Sequence, residues 1–536
     1  MNFNFTSQVV VPNVDSTSSS STMHINKPAG LPCSNSSASF WHSEPNTFLY
    51  GHRTTEDLPS RADIVIVGSG ITRASVARFL AADARASKLS VVMLEAREIC
   101  WGATGRNGGH CQPLLFDRTP DVAAFEVKNV HAVKSYIEEH SVPCEWRDVS
   151  GCRSFWTDDS FNAAKTEIQH LAKIDKGLAS KVTLIENGDV ETMKQHRVNP
   201  NAKGVTLTEG AGQLWPYKYV TFIVEKLVRE GRINVQTNTP VTKIESTTDS
   251  HYKQCLTTPR GKISARHVIL ATNGYTSHLL NAFTDLIVPV RCEMSALHPP
   301  PNSSRLPNSY GMVGFENGNI DHDDYLIQRP FYDSPNNDGS RRGGHLMFGG
   351  GRSFALYNCI GETEDDIVDP GEAAYLRRSL LAMLDLGGDG IENMKELKAS
   401  HQWTGIKGYS RDNMPWVGKV PSTSNSNTAG FEKGLWLCAG YTGHGMPNAS
   451  LCGKAVVEMM LAEEGDKPGS YESICDRLVK EQQIPQIYII THERLKASQE
   501  LPSVAEQDGM GGKHAVTSLE RQGTADGGAN PRCVVM

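Results

Sequence analysis

Three glycine-rich patches carry the residues whose types and spacing could do chemistry. The first reads Gly68-Ser69-Gly70-Ile71-Thr72-Arg73. Two glycines one residue apart allow a tight turn and let backbone N–H groups approach a diphosphate, whose charge the N-terminus of a following helix favours. Glu95 stands 22 positions beyond Arg73, where a carboxylate can accept both hydroxyls of a ribose. An acid there disfavours a 2′-phosphate and so argues against NADP. The third glycine of such a pattern normally lets the helix pack closely on the sheet. Here that position is Arg73, which must push the helix away or turn out at its end. Either the substitution is tolerated with slightly displaced packing, or it weakens cofactor binding, in the limit leaving a protein without activity.

The second patch begins at the same acid: Glu95-Ala96-Arg97-Glu98-Ile99-Cys100-Trp101-Gly102-Ala103-Thr104-Gly105-Arg106-Asn107-Gly108-Gly109. Its glycines would let a flat ring lie against bare main chain, while Arg106 and Asn107 offer donors to a ring or a phosphate. The third patch is Gly440-Tyr441-Thr442-Gly443-His444-Gly445-Met446, which opens an apolar helical stretch over 449–461. A helix N-terminus aimed at a ring stabilises negative charge that develops on it. A plain surface loop and a conventional turn are the ordinary alternatives for these two.

Further ordered pieces are Gly212-Gln213-Leu214-Trp215-Pro216, Ala271-Thr272-Asn273-Gly274-Tyr275, and Trp403-Thr404-Gly405-Ile406 with 412–418. Together with the three patches, from about residue 40 to 500, they resemble the D-amino-acid-oxidase-type family of FAD-dependent oxidoreductases. The GATGRNGG loop in particular is similar to the branch of gamma-glutamylputrescine oxidase. The resemblance implies non-covalent FAD and a Rossmann-like FAD-binding domain of glutathione-reductase type, interleaved with a substrate domain built on an antiparallel sheet (α+β). It also implies hydride transfer from the carbon beside an amine nitrogen to flavin N5, imine hydrolysis, and reoxidation by O2 to hydrogen peroxide. Val241, in the strand 238–244, would meet the adenine in similar proteins. Ala96, Arg97, Ala271, Thr272 and Gly274 join the cofactor set on the same ground. His110 and Cys111 invite covalent flavin attachment, but related covalent enzymes use other positions. The flavin would carry the chemistry, so no catalytic acid–base pair is required if the amine binds neutral. Tyr325, Arg329 and Arg352 are substrate candidates, since an arginine can clamp a carboxylate bidentately, and Trp403 could wall the ring. Each could equally be an ion-pair or core residue.

These residues need elements to hold them. The run 62–67 (ADIVIV) reads as a strand buried on both faces, 71–83 as a helix, and 90–94 (SVVML) as a second buried strand. Strand, glycine turn, helix and strand within this span form a βαβ unit with a parallel sheet. The class is therefore α/β. Helical spacing recurs at 123–137, 161–174 and 217–230; 232–245 and 251–263 alternate as a hairpin or meander. Later strands are expected at 267–270, 344–348 and 435–439, and the Asn, Asp and Gly of 302–343 read as a loop-rich insertion rather than sheet. The implied division assigns 40–120, 205–290 and 400–500 to the FAD domain and 121–204 and 291–399 to the substrate domain. Residues 1–39 and 501–536 read as disordered tails.

Composition fits this picture. The chain has 536 residues, 39% hydrophobic and 21% charged, with a net charge of −7. A mildly acidic chain without a basic patch argues against nucleic-acid binding. Twelve scattered cysteines without a C-x-x-C pair suit reduced thiols in a cytoplasmic enzyme and give no zinc or other metal pattern. The last residues, Cys533-Val534-Val535-Met536, match the C-a-a-X prenylation pattern; one lipid alone would give at most transient membrane attachment. Two other classes stay open: an NAD-dependent dehydrogenase using the same βαβ turn, and a flavin-impaired binding protein suggested by Arg73.

Overall fold

The computed structural model describes residues 27–316, 324–333, 341–356, 359–422, 430–464 and 469–509. Strand β1 (Arg61–Val67) is apolar along most of its length because it lies at the middle of a sheet and is covered on both faces. Helix α1 (Ile71–Ala82) starts at Gly70, and β2 (Val91–Leu94) returns parallel to β1. The parallel set continues with Asn234–Gln236 beside β2 and with Gly261–Leu270 and Phe431–Ala439 on the other side of β1. Trp416–Pro421 closes that edge antiparallel. Lys243–Ser246 and Gln254–Thr258 complete the meander into Gly261–Leu270. The α/β class and its parallel sheet are thus as the sequence implies.

A nine-stranded sheet faces this one, antiparallel except where Arg147–Phe155 runs beside Ser309–Val313. Its two-residue strand His110–Cys111 pairs with Gly212 and Gln213, so the loop that leaves β2 runs straight into the second sheet. That connection places both sheets around one site.

Four expectations change. The insertion 302–343 contributes real sheet: Ser309–Val313 and Asp324–Gln328 both lie inside the nine-stranded sheet, and Phe331–Asp333 pairs with Arg341–Gly343. Short runs with aromatic or aliphatic residues form all of these strands but Arg341–Gly343, and the turn residues between them dominate the composition. Residues 27–39 are not a disordered tail; Ala29 donates its N–H to Ser277 Oγ at 2.9 Å, and Ser39 caps a helical turn and donates to Gly105 O at 2.8 Å. Val504–Gly509 is helical, with Val504 buried and Gln507 donating to Arg411 O. Gly204–Gln213 and Ala399–Ser410, assigned above mainly to the FAD portion, belong to the second sheet. Cys533 lies outside the described residues.

Candidate functional site

A cavity of about 440 Å³ runs between the sheets. At one end it is lined by Gly68, Gly70, Ile71 and Thr72, the turn between β1 and α1. Gly68 has φ +97°, a region glycine enters without steric penalty. Glu95 directly follows β2 and also lines the cavity. Its Oε2 accepts from Ser69 Oγ at 2.6 Å and its Oε1 from the Arg97 N–H at 2.9 Å. Ser69 therefore orients the acid without itself lining the cavity. Arg73 does not turn out into solvent: its side chain is 13% exposed and lines the cavity. Its side chain folds back so that the guanidinium carbon lies 1.8 Å from where a Cβ on Gly68 would stand, with Nη1 3.8 Å from Glu95 Oε2. Burial lowers its pKa to about 10, against the attraction of Glu95, and its Nε has no partner among the described residues.

The loop after β2 lines the middle of the cavity through Ala96, Arg97, Gly102, Ala103, Thr104, Arg106, Asn107 and Gly108. Thr104 Oγ1 accepts from the Ile71 N–H at 3.1 Å, tying this loop to the start of α1. A Cβ on Gly102 would meet nothing within 4 Å, but the other three glycines of the loop have a different reason from the one the sequence suggests. A Cβ on Gly105 would meet Cys100 O at 1.9 Å, on Gly108 the Tyr325 ring at 2.4 Å, and on Gly109 Leu214 O at 2.3 Å. The protein's own packing demands them, and Gly109 does not line the cavity. Arg106 is also reassigned: its donors go to Thr404 O, Ser37 and Asp365. Arg97 grips the same Asp365 with two bonds of 2.8 and 3.0 Å. These cations hold Asp365 below its ordinary pKa, although burial opposes them.

Val241, Ala271, Thr272, Tyr441, Gly443, His444, Gly445 and Met446 line the same cavity. Gly274 and Gly440 do not. A Cβ on Gly274 would meet Lys407 O at 2.7 Å, and the Gly440 N–H donates to Asn273 Oδ1 at 3.2 Å, joining two lining loops. His444 Nε2 donates to Glu126 Oε2 at 3.0 Å. Glu126 is fully buried and also accepts from the Leu114 N–H at 2.7 Å and Asn448 Nδ2 at 3.1 Å, with Arg118 Nε 3.7 Å away. These groups outweigh its desolvation and depress its pKa.

Of the substrate candidates, Tyr325 and Arg352 line the cavity. The Gly108 N–H donates to Tyr325 Oη at 2.9 Å, and Arg352 lies over the Tyr409 ring. Arg329 and Trp403 are corrected. Arg329 is buried against Glu145 at 2.6 Å and stacks over Trp215; Trp403 is fully buried and donates to Arg106 O at 2.8 Å. Burial lowers His110, which lines the cavity, to about 4 and raises the Cys111 thiol to about 12. Among the described residues no group of His, Cys, Asp and Glu could hold a metal ion, and the eleven cysteines described are all free thiols. Sequence reasoning missed Asp365 and Glu126, which meet Arg106 and His444 from far along the chain, and Glu293.

A family model for FAD-dependent oxidoreductases, DAO, matches residues 63–459. The chain belongs to this family. Within it, the chain is 23% identical over 428 residues to a probable oxidoreductase OrdL of Rhizobium meliloti, covering 75% of this chain and 84% of the relative. It is 20% identical to the gamma-glutamylputrescine oxidoreductase of Escherichia coli, over 74% and 83% of the two chains. The glycine oxidase of Geobacillus kaustophilus shares the fold with a TM-score of 0.57 at 17% identity, over 77% of this chain and 98% of that one. FAD is the cofactor of a DAO-family protein, and the residues present fit it. The glycine turn, over which the Arg73 guanidinium lies, the N-terminus of α1 and the Glu95 carboxylate suit an adenosine diphosphate, whose charge that guanidinium complements. The helix that follows Gly440–Met446 begins beside the same cavity. The protein is thus an FAD-dependent oxidoreductase.

Proposed function

We propose that this oxidoreductase acts on the C–N bond of a small amine or amino acid. The observation that carries this reading is the continuity of one cavity. It runs from the dinucleotide turn at Gly68 to Tyr325 on the second sheet and Arg352 just beyond it, so cofactor and substrate would share a single cavity. The names of the Escherichia coli and Geobacillus relatives, which act on an amine and an amino acid, support the choice of substrate. FAD supplies a hydride acceptor when bound; the protein supplies binding, orientation and electrostatics. Tyr325, fixed by the Gly108 N–H, limits the space open to a substrate. Glu126 fixes the imidazole of His444 beside the cavity.

Gly68, Gly70, Ile71, Thr72, Glu95, Ala96, Arg97, Val241, Ala271 and Thr272 are assigned to the adenosine diphosphate half. Gly102, Ala103, Thr104, Asn107, Gly108 and the lining residues of 441–446 are assigned to the ring half. Flavin binds non-covalently, O2 accepts the electrons, and the protein is cytoplasmic; no helix of the described residues is long and apolar enough to cross a membrane. Reconstitution with FAD followed by anaerobic titration with an amine and amino-acid panel tests the reading. Bleaching of the flavin band, then peroxide on admission of air, is the expected result. A flavin that no member of the panel reduces refutes it, and reduction by NADH alone would favour the nicotinamide reading. Acid precipitation should leave the flavin in the supernatant. A farnesyl group on Cys533 is tested by mass spectrometry of the C-terminal peptide from the native source, and an unmodified end removes that idea.

A further inference from the structure

The strand Ile287–Leu297 is buried along its whole length, yet it carries a carboxylate into the cavity wall. Glu293 is 1% exposed. Its Oε1 has no hydrogen-bond partner among the described residues, and its Oε2 accepts a bond of 3.4 Å from the Asp369 N–H. Buried polar atoms are rarely left this way without a missing ligand, ion or water.

The charges around it narrow the choice. Glu372 and Asp369 are both buried and add negative potential at Glu293, while Arg291, two residues earlier, offsets it in part. Burial and those acids push Glu293 to about 9, so without a ligand it holds a proton at neutral pH. Asp324 lines the same cavity but is engaged by the Gly351 N–H at 2.8 Å and by Tyr375 Oη. A water or a neutral donor could fill the free lone pair, but only a cation also answers the negative potential. Met294 and Gly350 flank Glu293 in the wall and add no competing charge. The hole is therefore suited to an ammonium group.

That group cannot be the nitrogen at which oxidation takes place. Loss of hydride from the adjoining carbon needs the nitrogen lone pair, which an ion-paired ammonium has given to a proton. We propose that Glu293 binds a second, non-reacting ammonium group, so that the preferred substrates are α,ω-diamines or amines with a cationic far end. This deepens the amine-oxidation reading and rests on it.

The test uses FAD-loaded full-length protein without oxygen. A series of α,ω-diamines from propane to hexane is compared with alkylamines matched in chain length. Binding is read from perturbation of the oxidised flavin spectrum, and reduction from its bleaching. The best diamine should bind at least about tenfold tighter than its matched monoamine, and Glu293→Gln should bring that ratio close to one. Glu293→Met, also neutral and similar in length, serves as the second variant if the amide disturbs flavin loading. A wild-type ratio near one, a ratio kept by the neutral variants, or no amine binding at all overturns the proposal. Diamines that show the ratio yet never bleach the flavin would refute amine oxidation while leaving the cation site standing.

Discussion

Arg73→Ala should tighten FAD binding. Glu95 is the acceptor expected for the ribose, yet its Oε2 faces the guanidinium of Arg73 at 3.8 Å, and the two side chains are only 13% and 9% exposed. At that distance and an effective dielectric near 20, two unit charges attract by about 4 kcal/mol. FAD must separate them or share Glu95 between them, although the guanidinium recovers part of the loss by turning to the cofactor's diphosphate. If half is recovered, the remaining ~2 kcal/mol corresponds to about thirtyfold in affinity. Alanine keeps the Cβ already accommodated in this helix and is the best helix former, so α1 is not put at risk. Apoprotein is prepared from wild type, Arg73→Ala and Arg73→Lys, and FAD dissociation constants are measured by quenching of flavin fluorescence. The alanine variant should bind more tightly, and lysine should stay near wild type because it keeps a cation beside Glu95. Equal or weaker binding by Arg73→Ala would show that the guanidinium serves the diphosphate instead of competing with it, and the reasoning would fall. If none of the three bound FAD, the cofactor assignment itself would be in question.

Asp365→Asn should destabilise the protein by roughly 3–5 kcal/mol, the range for leaving a buried charge without its partner. Arg97 and Arg106 both lose their counter-charge, and chemical denaturation of the FAD-free protein reads the effect. Glu126→Gln replaces a carboxylate held by several donors and should cost roughly 1.5–3 kcal/mol at neutral pH. Glu126 has a folded pKa below its unfolded one, so its contribution is present above about pH 4.5 and is lost as pH falls through the folded value. The variant should therefore lose less stability than wild type on acidification below that point. A parallel acid profile would separate Glu126 from that role.

The legible part of this protein is the part whose physics is local. A buried strand, two glycines, a helix start and an acid at the end of the next strand all lie between Arg61 and Glu95, and the chain geometry leaves few other ways to arrange them. Arg73 stood out for the same reason: a side chain where the pattern needs none is visible without coordinates, although its path back to Gly68 is not. The acids that organise the site could not be found this way. Asp365 meets Arg106 across 259 positions and Glu126 meets His444 across 318, and nothing in the segments around them distinguishes a buried anchor from a solvated charge. Arg329 and Trp403 failed for a related reason. Residue type made them candidates, but Arg329 faces Glu145 and the Trp403 indole holds Arg106 O. For Trp403, on the strand Ala399–Ser410, the deciding fact is which way the side chain points across the sheet, and a one-residue change of register reverses it. The same ambiguity hid Glu293. On a strand buried on both faces there is no polar–apolar alternation to reveal which side chains meet the cavity, so a carboxylate there shows its purpose only through the partner it lacks.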